Sequence, residues 1–323
     1  MTELAIVIVS WNVRDLLRRC LSAVEASLAG SGIAYRTIVV DNASADGTPA
    51  MLRAEFPTAE LIESGANLGF AAGNNLALRT IFSSPFHIPY VLLLNPDTEP
   101  LGEALPCMMR YLDQHPEVVV VGPQLRYGDG SLQLSRRRFP ERLTFFFEST
   151  SLEQLWPRNP WLRRYRCEDR PATQVQPVGW LVGAALLVRS SAIAQAGLLD
   201  ERFFMYSEEI EWQWRLQIAD CRLQGHNRQS AIAYLPAAVI VHHEGKSSEQ
   251  AQAARYRNFQ HGKLLLARMR YGWRFAAALR LFLRAAYCYE IASEAAKLLL
   301  GHRPALRRQR IGIYWQVFRA LKA

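Results

Sequence analysis

The chain opens with a dense apolar block. Leu4-Ala-Ile-Val-Ile-Val9 is hydrophobic at every position, as in a parallel strand buried on both faces. Leu16, Leu17, Cys20, Leu21, Val24 and Leu28 then recur at helical spacing. Thr37-Ile-Val-Val40, Glu60-Leu-Ile-Glu63, Tyr90-Val-Leu-Leu-Leu94 and Val118-Val-Val-Val121 predict four more strands. Thr48-Pro49 supplies an N-cap and a first helical residue between the second and third of the five. A Gly/Asn-rich loop from Gly65 to Asn75 runs into another helix. Strands alternating with helices predict right-handed crossovers and a largely parallel, doubly wound α/β sheet. Residues 148–177, rich in Pro, Trp and Arg, read as a loop or insertion. Beyond about Lys263 the pattern is all-helical, which puts the domain change between 245 and 262. The division expected is an α/β domain over 1–250 and a helical region over 251–323.

Polar groups punctuate the apolar runs at one end. Ser10-Trp11-Asn12 follows the first strand, Asp41-Asn42 the second and Asn95-Pro96-Asp97 the fourth. In a parallel sheet these positions share the carboxyl edge, where open α/β sheets bind ligands. Asp97 suits a hard divalent cation, because Mg²⁺ takes one or two protein carboxylates and completes its shell with phosphate oxygens and water. Pro96 holds the chain extended between the two polar side chains. The same tripeptide is also an ordinary strand-ending turn.

With 323 residues, half of them hydrophobic, the chain can bury a sizeable core. Its five cysteines are scattered and show no metal-ligand spacing, so reduced, mostly buried cytosolic thiols are expected. The N-terminus lacks the cationic start of a signal peptide, and no uncharged apolar stretch is long enough to span a bilayer. The net charge of +9 is uneven. From Arg255 onward there are 15 Lys+Arg and two acids, a surplus of +13, against 23 and 27 in the remainder, or −4. Anionic partners therefore belong to the tail.

Five segments in order carry a resemblance: Val39-Val-Asp-Asn-Ala-Ser-Ala-Asp-Gly-Thr48, Asn67-Leu-Gly-Phe-Ala-Ala-Gly-Asn-Asn75, Leu94-Asn-Pro-Asp97, Phe203-Phe-Met-Tyr-Ser-Glu-Glu-Ile-Glu211 and Val241-His-His-Glu-Gly-Lys-Ser247. Together they resemble family 2 glycosyltransferases of GT-A fold, in the rhamnosyltransferase-like branch of cell-surface polysaccharide assembly. The resemblance implies an inverting, metal-dependent transfer (Mg²⁺ or Mn²⁺) from a nucleotide-sugar donor, dTDP-rhamnose by branch. The implied acceptor is a lipid-linked glycan. Asp41 falls where the family holds the pyrimidine ring, whose N–H a carboxylate can accept. Ser10, Asn67, Gly69, Gly73 and Asn74 would lie along the donor. Asn95 stands where the general family pattern has an aspartate, which leaves Asp97 as the main metal ligand. The acceptor base is the second residue of a Glu-Asp pair in the family and Glu209 here, with Glu208 the alternative. Glutamate reaches one methylene further than aspartate, a departure that matters for positioning. Read without the family, Glu208, Glu209 and Glu211 are the solvated first turn of a helix.

His242 and His243 end an apolar run, and adjacent strand residues face opposite ways, so at most one looks into the site. The resemblance puts one of them by the metal and diphosphate, with Gly245 and Lys246 in a closing loop. Trp180 matches the segment that walls the sugar pocket, and reads equally as a core indole. Ser135-Arg-Arg-Arg-Phe-Pro140 matches the same branch, and its guanidinium groups suit an acceptor's phosphates. Other readings are a related transferase using another nucleotide sugar and a catalytically dead scaffold on the same fold. A dinucleotide-binding oxidoreductase is disfavoured, since no G-x-G-x-x-G follows the first strand.

In the tail, Arg280, Arg284, Glu290, Glu294 and Lys297 fall within an arc of roughly 140° on a helix, and Arg274 lies outside it. With the later arginines, Tyr314 and Trp315, this reads as helices on an anionic membrane surface, peripheral at the cytoplasmic face. It reads equally as a helical pair packed on the catalytic domain or on a second subunit in a homodimer. No nucleic-acid recognition motif accompanies the charge.

Overall fold

The structure, a computed structural model, describes residues 2–84, 87–221, 231–243 and 252–321. The chain forms two compact units. The first comprises Met1–Arg138, Arg166–Phe204 and Glu208–Ser247; the second comprises Phe139–Tyr165, Met205–Ser207 and Ser248–Ala323.

The first unit is built on β1 (Leu4–Ser10), β2 (Tyr35–Asp41), β3 (Glu60–Glu63) and β4 (Tyr90–Leu94), the elements the apolar runs predicted, with one to two residues added at some ends. They lie in the order β3-β2-β1-β4, all parallel. Beyond β4 the sheet continues through β11 (Ala185–Arg189), β6 (Val118–Arg126), β12 (Ala231–His242) and β5 (Thr98–Pro100). Here the pattern is mixed: β11 runs antiparallel to both β4 and β6, while β12 is parallel to β6.

The unbroken apolar run of β1 serves two cores. Leu4, Ile6 and Ile8 pack with α1 (Arg14–Leu28), α2 (Thr48–Glu55) and α4 (Ala104–Gln114). Ala5 and Val7 pack with α3 (Gly69–Phe82), α8 (Ser190–Ala196) and α9 (Glu208–Cys221). Helices on both faces are why every position of the strand is hydrophobic. The cap of α2 differs by one residue from the expectation: Thr48 is already helical, Gly47 precedes it in the left-handed region, and Asp46 Oδ1 accepts both the Thr48 N–H (3.2 Å) and its hydroxyl (2.6 Å).

β12 departs from its register with β6 between Leu235 and Val239, so that Pro236, Ala237 and Ala238 bulge out. Proline cannot donate to the ladder, and a bulge re-aims the strand beyond it. The re-aimed end carries His242 into antiparallel pairing with Thr98 of β5.

The second unit includes α5 (Arg142–Phe147), and the segment 148–177, expected as loop, is partly helical after it, with α6 (Ser151–Leu155) and α7 (Pro160–Tyr165). Glu141 and Thr144 form a capping box at the start of α5. The long helix α10 (Gln252–Leu299) is interrupted at Gly272, whose φ of 84° and ψ of 173° are non-helical. In a continuous helix Gln260 and Tyr287 would stand about 40 Å apart. Instead Gln260 Nε2 donates to the Tyr287 hydroxyl at 3.1 Å, so the chain reverses at Gly272 into two antiparallel arms. α11 (Pro304–Ala320) packs on them, with Tyr314 meeting both Tyr256 and Tyr287.

Candidate active site

The carboxyl ends of β1, β2 and β4 bring polar groups to one edge, as the strand pattern predicted. Ser10 pairs in register with Asp41, and Asn95 follows β4 directly. Asn42 is tied down by its own amide to the Ser10 carbonyl (2.8 Å) and by its side chain to the Gly69 carbonyl (3.0 Å). Asp41 uses one oxygen, Oδ2, to accept the Ser44 N–H at 3.0 Å. Its other oxygen, the Ser10 hydroxyl and Asp97 Oδ1 are all buried with no hydrogen-bond partner among the described residues. Leaving a buried polar atom unpaired costs roughly 1–3 kcal/mol, so three together on one edge mark a place shaped for a polar ligand.

The loop into α3 wraps the same edge. Asn67 Oδ1 accepts the Gly69 N–H at 3.0 Å. Gly69 has φ +81°, and a Cβ there would lie 2.2 Å from the Phe204 carbonyl oxygen, so only glycine fits. Asn74 is buried and its amide donates back to the Phe70 carbonyl (2.9 Å). Asn75 binds the Leu199 backbone in both directions (2.9 and 3.0 Å) and Glu201 Oε1 (2.8 Å), fixing the segment that leads to Phe204.

Asp97 and His242 meet across the sheet edge. His242 Nε2 lies 3.3 Å from Asp97 Oδ1, within ion-pair range but outside hydrogen-bond geometry. His242 Nδ1 is 3.0 Å from Gln133 Oε1. With Nδ1–H donating to that oxygen, Nε2 keeps its lone pair toward Asp97. Two buried acceptors facing each other suit a cation held by both. Around an octahedral cation with bonds of about 2.1 Å, neighbouring ligand atoms stand roughly 3 Å apart. The residues present therefore fit a divalent metal with two protein ligands. No third His, Cys, Asp or Glu joins them among the described residues, which leaves the rest of such a shell to phosphate and water. His243 turns the other way, as strand alternation requires, and its Nε2 contacts Glu99 Oε1 at 2.8 Å. Gly245 and Lys246 lie outside the described residues.

The glutamates sit at the start of α9. Tyr206 and Ser207 before them both have positive φ (74° and 75°), costly for non-glycine residues. Glu208 is buried and Glu209 half-buried. Gly183 lies against Glu209, since a Cβ on it would stand 3.5 Å from Glu209 Cβ and 3.9 Å from Phe70 Cζ. Glu211 is committed to the fold through a two-pronged ion pair with Arg215 (2.7 and 2.8 Å). Gln213 holds α9 to Leu181 of β10 (Trp180–Leu181) through both backbone groups (2.9 and 2.8 Å), which fixes Glu209 opposite Gly183. Trp180 is only 5% exposed. Its indole N–H donates to the Arg138 carbonyl at 3.0 Å, and the Arg137 guanidinium lies 6.0 Å over the ring. Gln133, Asn75 and Gln213 escaped the sequence reading, because a glutamine or asparagine on an apolar element carries no spacing signal.

A polar sheet edge with unpaired buried acceptors and a half-buried glutamate opposite Gly183 is the candidate site, and the chain belongs to glycosyl transferase family 2, whose family model matches residues 5–182. It is similar to the N-acetylglucosaminyl-diphospho-decaprenol L-rhamnosyltransferase of Mycobacterium tuberculosis, with 31% identity over 280 residues, 84% of this chain and 85% of that protein. Similarity to rhamnosyltransferase WbbL of Escherichia coli (strain K12) reaches 26% over 197 residues, 57% of this chain and 65% of the relative. Together these bear out the rhamnosyltransferase-like resemblance. Among solved structures, the mannosyltransferase PcManGT from Pyrobaculum calidifontis, in complex with GDP-Man and Mn²⁺, superposes with TM-score 0.53 at 16% identity over 98% of this chain and 85% of that one. GalNAc-T7 with UDP, GalNAc and Mn²⁺ gives 0.53 at 11% identity over 74% of this chain and 42% of that one. The α/β fold of the first unit is thus GT-A-like, as expected.

Proposed function

We propose that this chain is an inverting rhamnosyltransferase that takes rhamnose from dTDP-rhamnose and attaches it to a lipid-linked glycan in cell-surface glycan assembly. The observation that carries this reading is the trio of buried, unpaired polar atoms on the sheet edge: Ser10 Oγ, Asp41 Oδ1 and Asp97 Oδ1. Asp41 Oδ1 accepts the ring N–H of the donor's pyrimidine, a bond its second oxygen is already braced for by Ser44. Asn67 and Gly69 shape the backbone beside the donor. Asp97 and His242 would hold a divalent cation, Mg²⁺ or Mn²⁺, with Asn95 beside them. When bound, it supplies positive charge to the leaving diphosphate. Glu209 takes the proton of the acceptor hydroxyl as that oxygen attacks the anomeric carbon and the diphosphate departs from the opposite face. Glu208, more deeply buried, is the alternative base.

The acceptor is read from the Mycobacterium relative, whose name specifies an N-acetylglucosaminyl-diphospho-decaprenol. An acceptor of that class would bring the reaction to a membrane surface. The segment Arg136–Arg138 is less suited to meet its phosphates: Arg136 is buried over Tyr234, and Arg138 pairs with Asp169 at 2.7 Å.

The test is turnover of a panel of nucleotide sugars with Mg²⁺, with Mn²⁺ and with chelator. The expected result is metal-dependent consumption of dTDP-rhamnose above all others, and loss of transfer in Glu209→Gln with donor binding kept. Another preferred sugar would correct the donor. No consumption of any donor would identify a scaffold.

A further inference from the structure

The two arms of α10 sort their residues in an unusual way. At about 100° per residue, the exposed positions from Arg274 to Leu299, Lys297 apart, fall within an arc of roughly 120°. Along it lie Leu281, Ala285, Cys288, Tyr289, Ala292 and Leu299, and the single charge is Arg274 at its start. Leu281 is 72% exposed and Leu299 88%. The charged arc is on the other side, buried at its centre at Glu294 and exposed at its edge at Lys297. Glu294, 2% exposed, accepts from Arg307 at 2.7 Å and Lys297 at 3.0 Å, and Arg284 lies 4.9 Å over the Phe318 ring. The arm thus buries the Glu294–Arg307 ion pair and presents apolar side chains outward over about 40 Å. No helix among the described residues is long and apolar enough to cross a membrane, so this face lies along a surface if it meets lipid.

Charge decides what covers it. Between residues 252 and 321 no acidic side chain is exposed, while Arg257, Arg268, Arg274, Lys297, Arg303 and Arg308 are. A second copy would bring two surfaces of net positive charge together, which Coulomb repulsion opposes. An anionic bilayer matches both features, taking the apolar stripe between its headgroups and attracting the exposed positive charge of these helices. We propose that the outward face of the second α10 arm, from Trp273 to Leu300, is the docking face for an anionic lipid bilayer. It deepens the membrane-surface reading above, and rests on it only for the lipid-linked acceptor.

The test uses the full chain and vesicles of phosphatidylcholine alone or with phosphatidylglycerol. Wild type should prefer the anionic vesicles at least about tenfold, and Leu281→Asp/Leu299→Asp should weaken binding by about tenfold or more. The control Leu101→Asp, an exposed apolar site in the first unit, should bind as wild type does. Equal binding by the double variant and wild type overturns the proposal. So does self-association in lipid-free buffer that the double variant abolishes, which assigns the face to a second copy. Vesicle binding by a chain that consumes no nucleotide sugar upholds the docking face and sinks the transferase reading. Transfer to a water-soluble acceptor without any vesicle preference does the reverse.

Discussion

His242 owes its aim to Gln133, and Asp97 owes its unpaired oxygen to the geometry of that same corner. Removing either partner therefore has different consequences. Asp97→Asn removes the charge a divalent cation needs, and should lower turnover by about 100-fold or more across metal concentrations. Gln133→Leu leaves Asp97 and His242 in place and frees the imidazole to turn, so, if these two hold the proposed cation, the metal concentration needed for half-maximal rate should rise, with the rate recovered at high metal. A loss in Gln133→Leu that excess metal does not recover would count against the second role. At this scale the sequence disclosed the groups that end strands, Ser10, Asp41 and Asp97, because their place follows from where an apolar run stops. It left the choice between His242 and His243 open. That choice depends on the bulge at Pro236–Ala238, which sets the face of every residue beyond it, and a bulge leaves no mark in an apolar pattern.

Elements fix the distance between the two halves of the site. α3 and the segment ending at Phe204 are joined where the Phe70 N–H meets the Phe204 carbonyl at 2.7 Å, next to Gly69. Gly69→Ala inserts a methyl 2.2 Å from that carbonyl at a φ of +81°, so this junction must open. Donor affinity should fall at least about tenfold and the melting temperature should drop. A variant with unchanged Tm and unchanged donor affinity would mean that the junction relaxes without cost. Strands β1 to β4 were legible because burial on both faces makes every residue apolar. The turn at Gly272 was not: the flanking residues keep helical spacing, and one glycine in such a run is compatible with a continuous helix.

At the scale of the whole molecule, Lys263 offers a pH-sensitive readout of the second unit. It is buried, its Nζ donates to the Glu148 carbonyl at 2.5 Å, and desolvation lowers its pKa from 10.5 to about 8. Between pH 8 and 10.5 the unfolded lysine holds a proton that the folded one has lost. The unfolded state then binds more protons, so stability gains from this group as pH rises through that window and suffers its cost below it. The stability difference between wild type and Lys263→Met, measured by denaturant unfolding at pH 7 and pH 10, should shift in favour of wild type at the higher pH. A pH-independent difference would place the ammonium in contact with water. The uneven charge of the chain was plain from composition, but its use was not. Helical spacing revealed an arc of charges, and only the packing of α11 on α10 shows that arc to be the inner one.

Residues 205–207 group with the C-terminal helices, although the chain on either side of them belongs to the first unit. Gly262 allows this, since a Cβ there would lie 2.3 Å from the Tyr206 carbonyl oxygen. The tail is therefore no detachable appendage. Grafting it onto another chain, or exchanging it, would require residues 139–165 and the three before Glu208 to move with it, so its inheritance is bound to theirs.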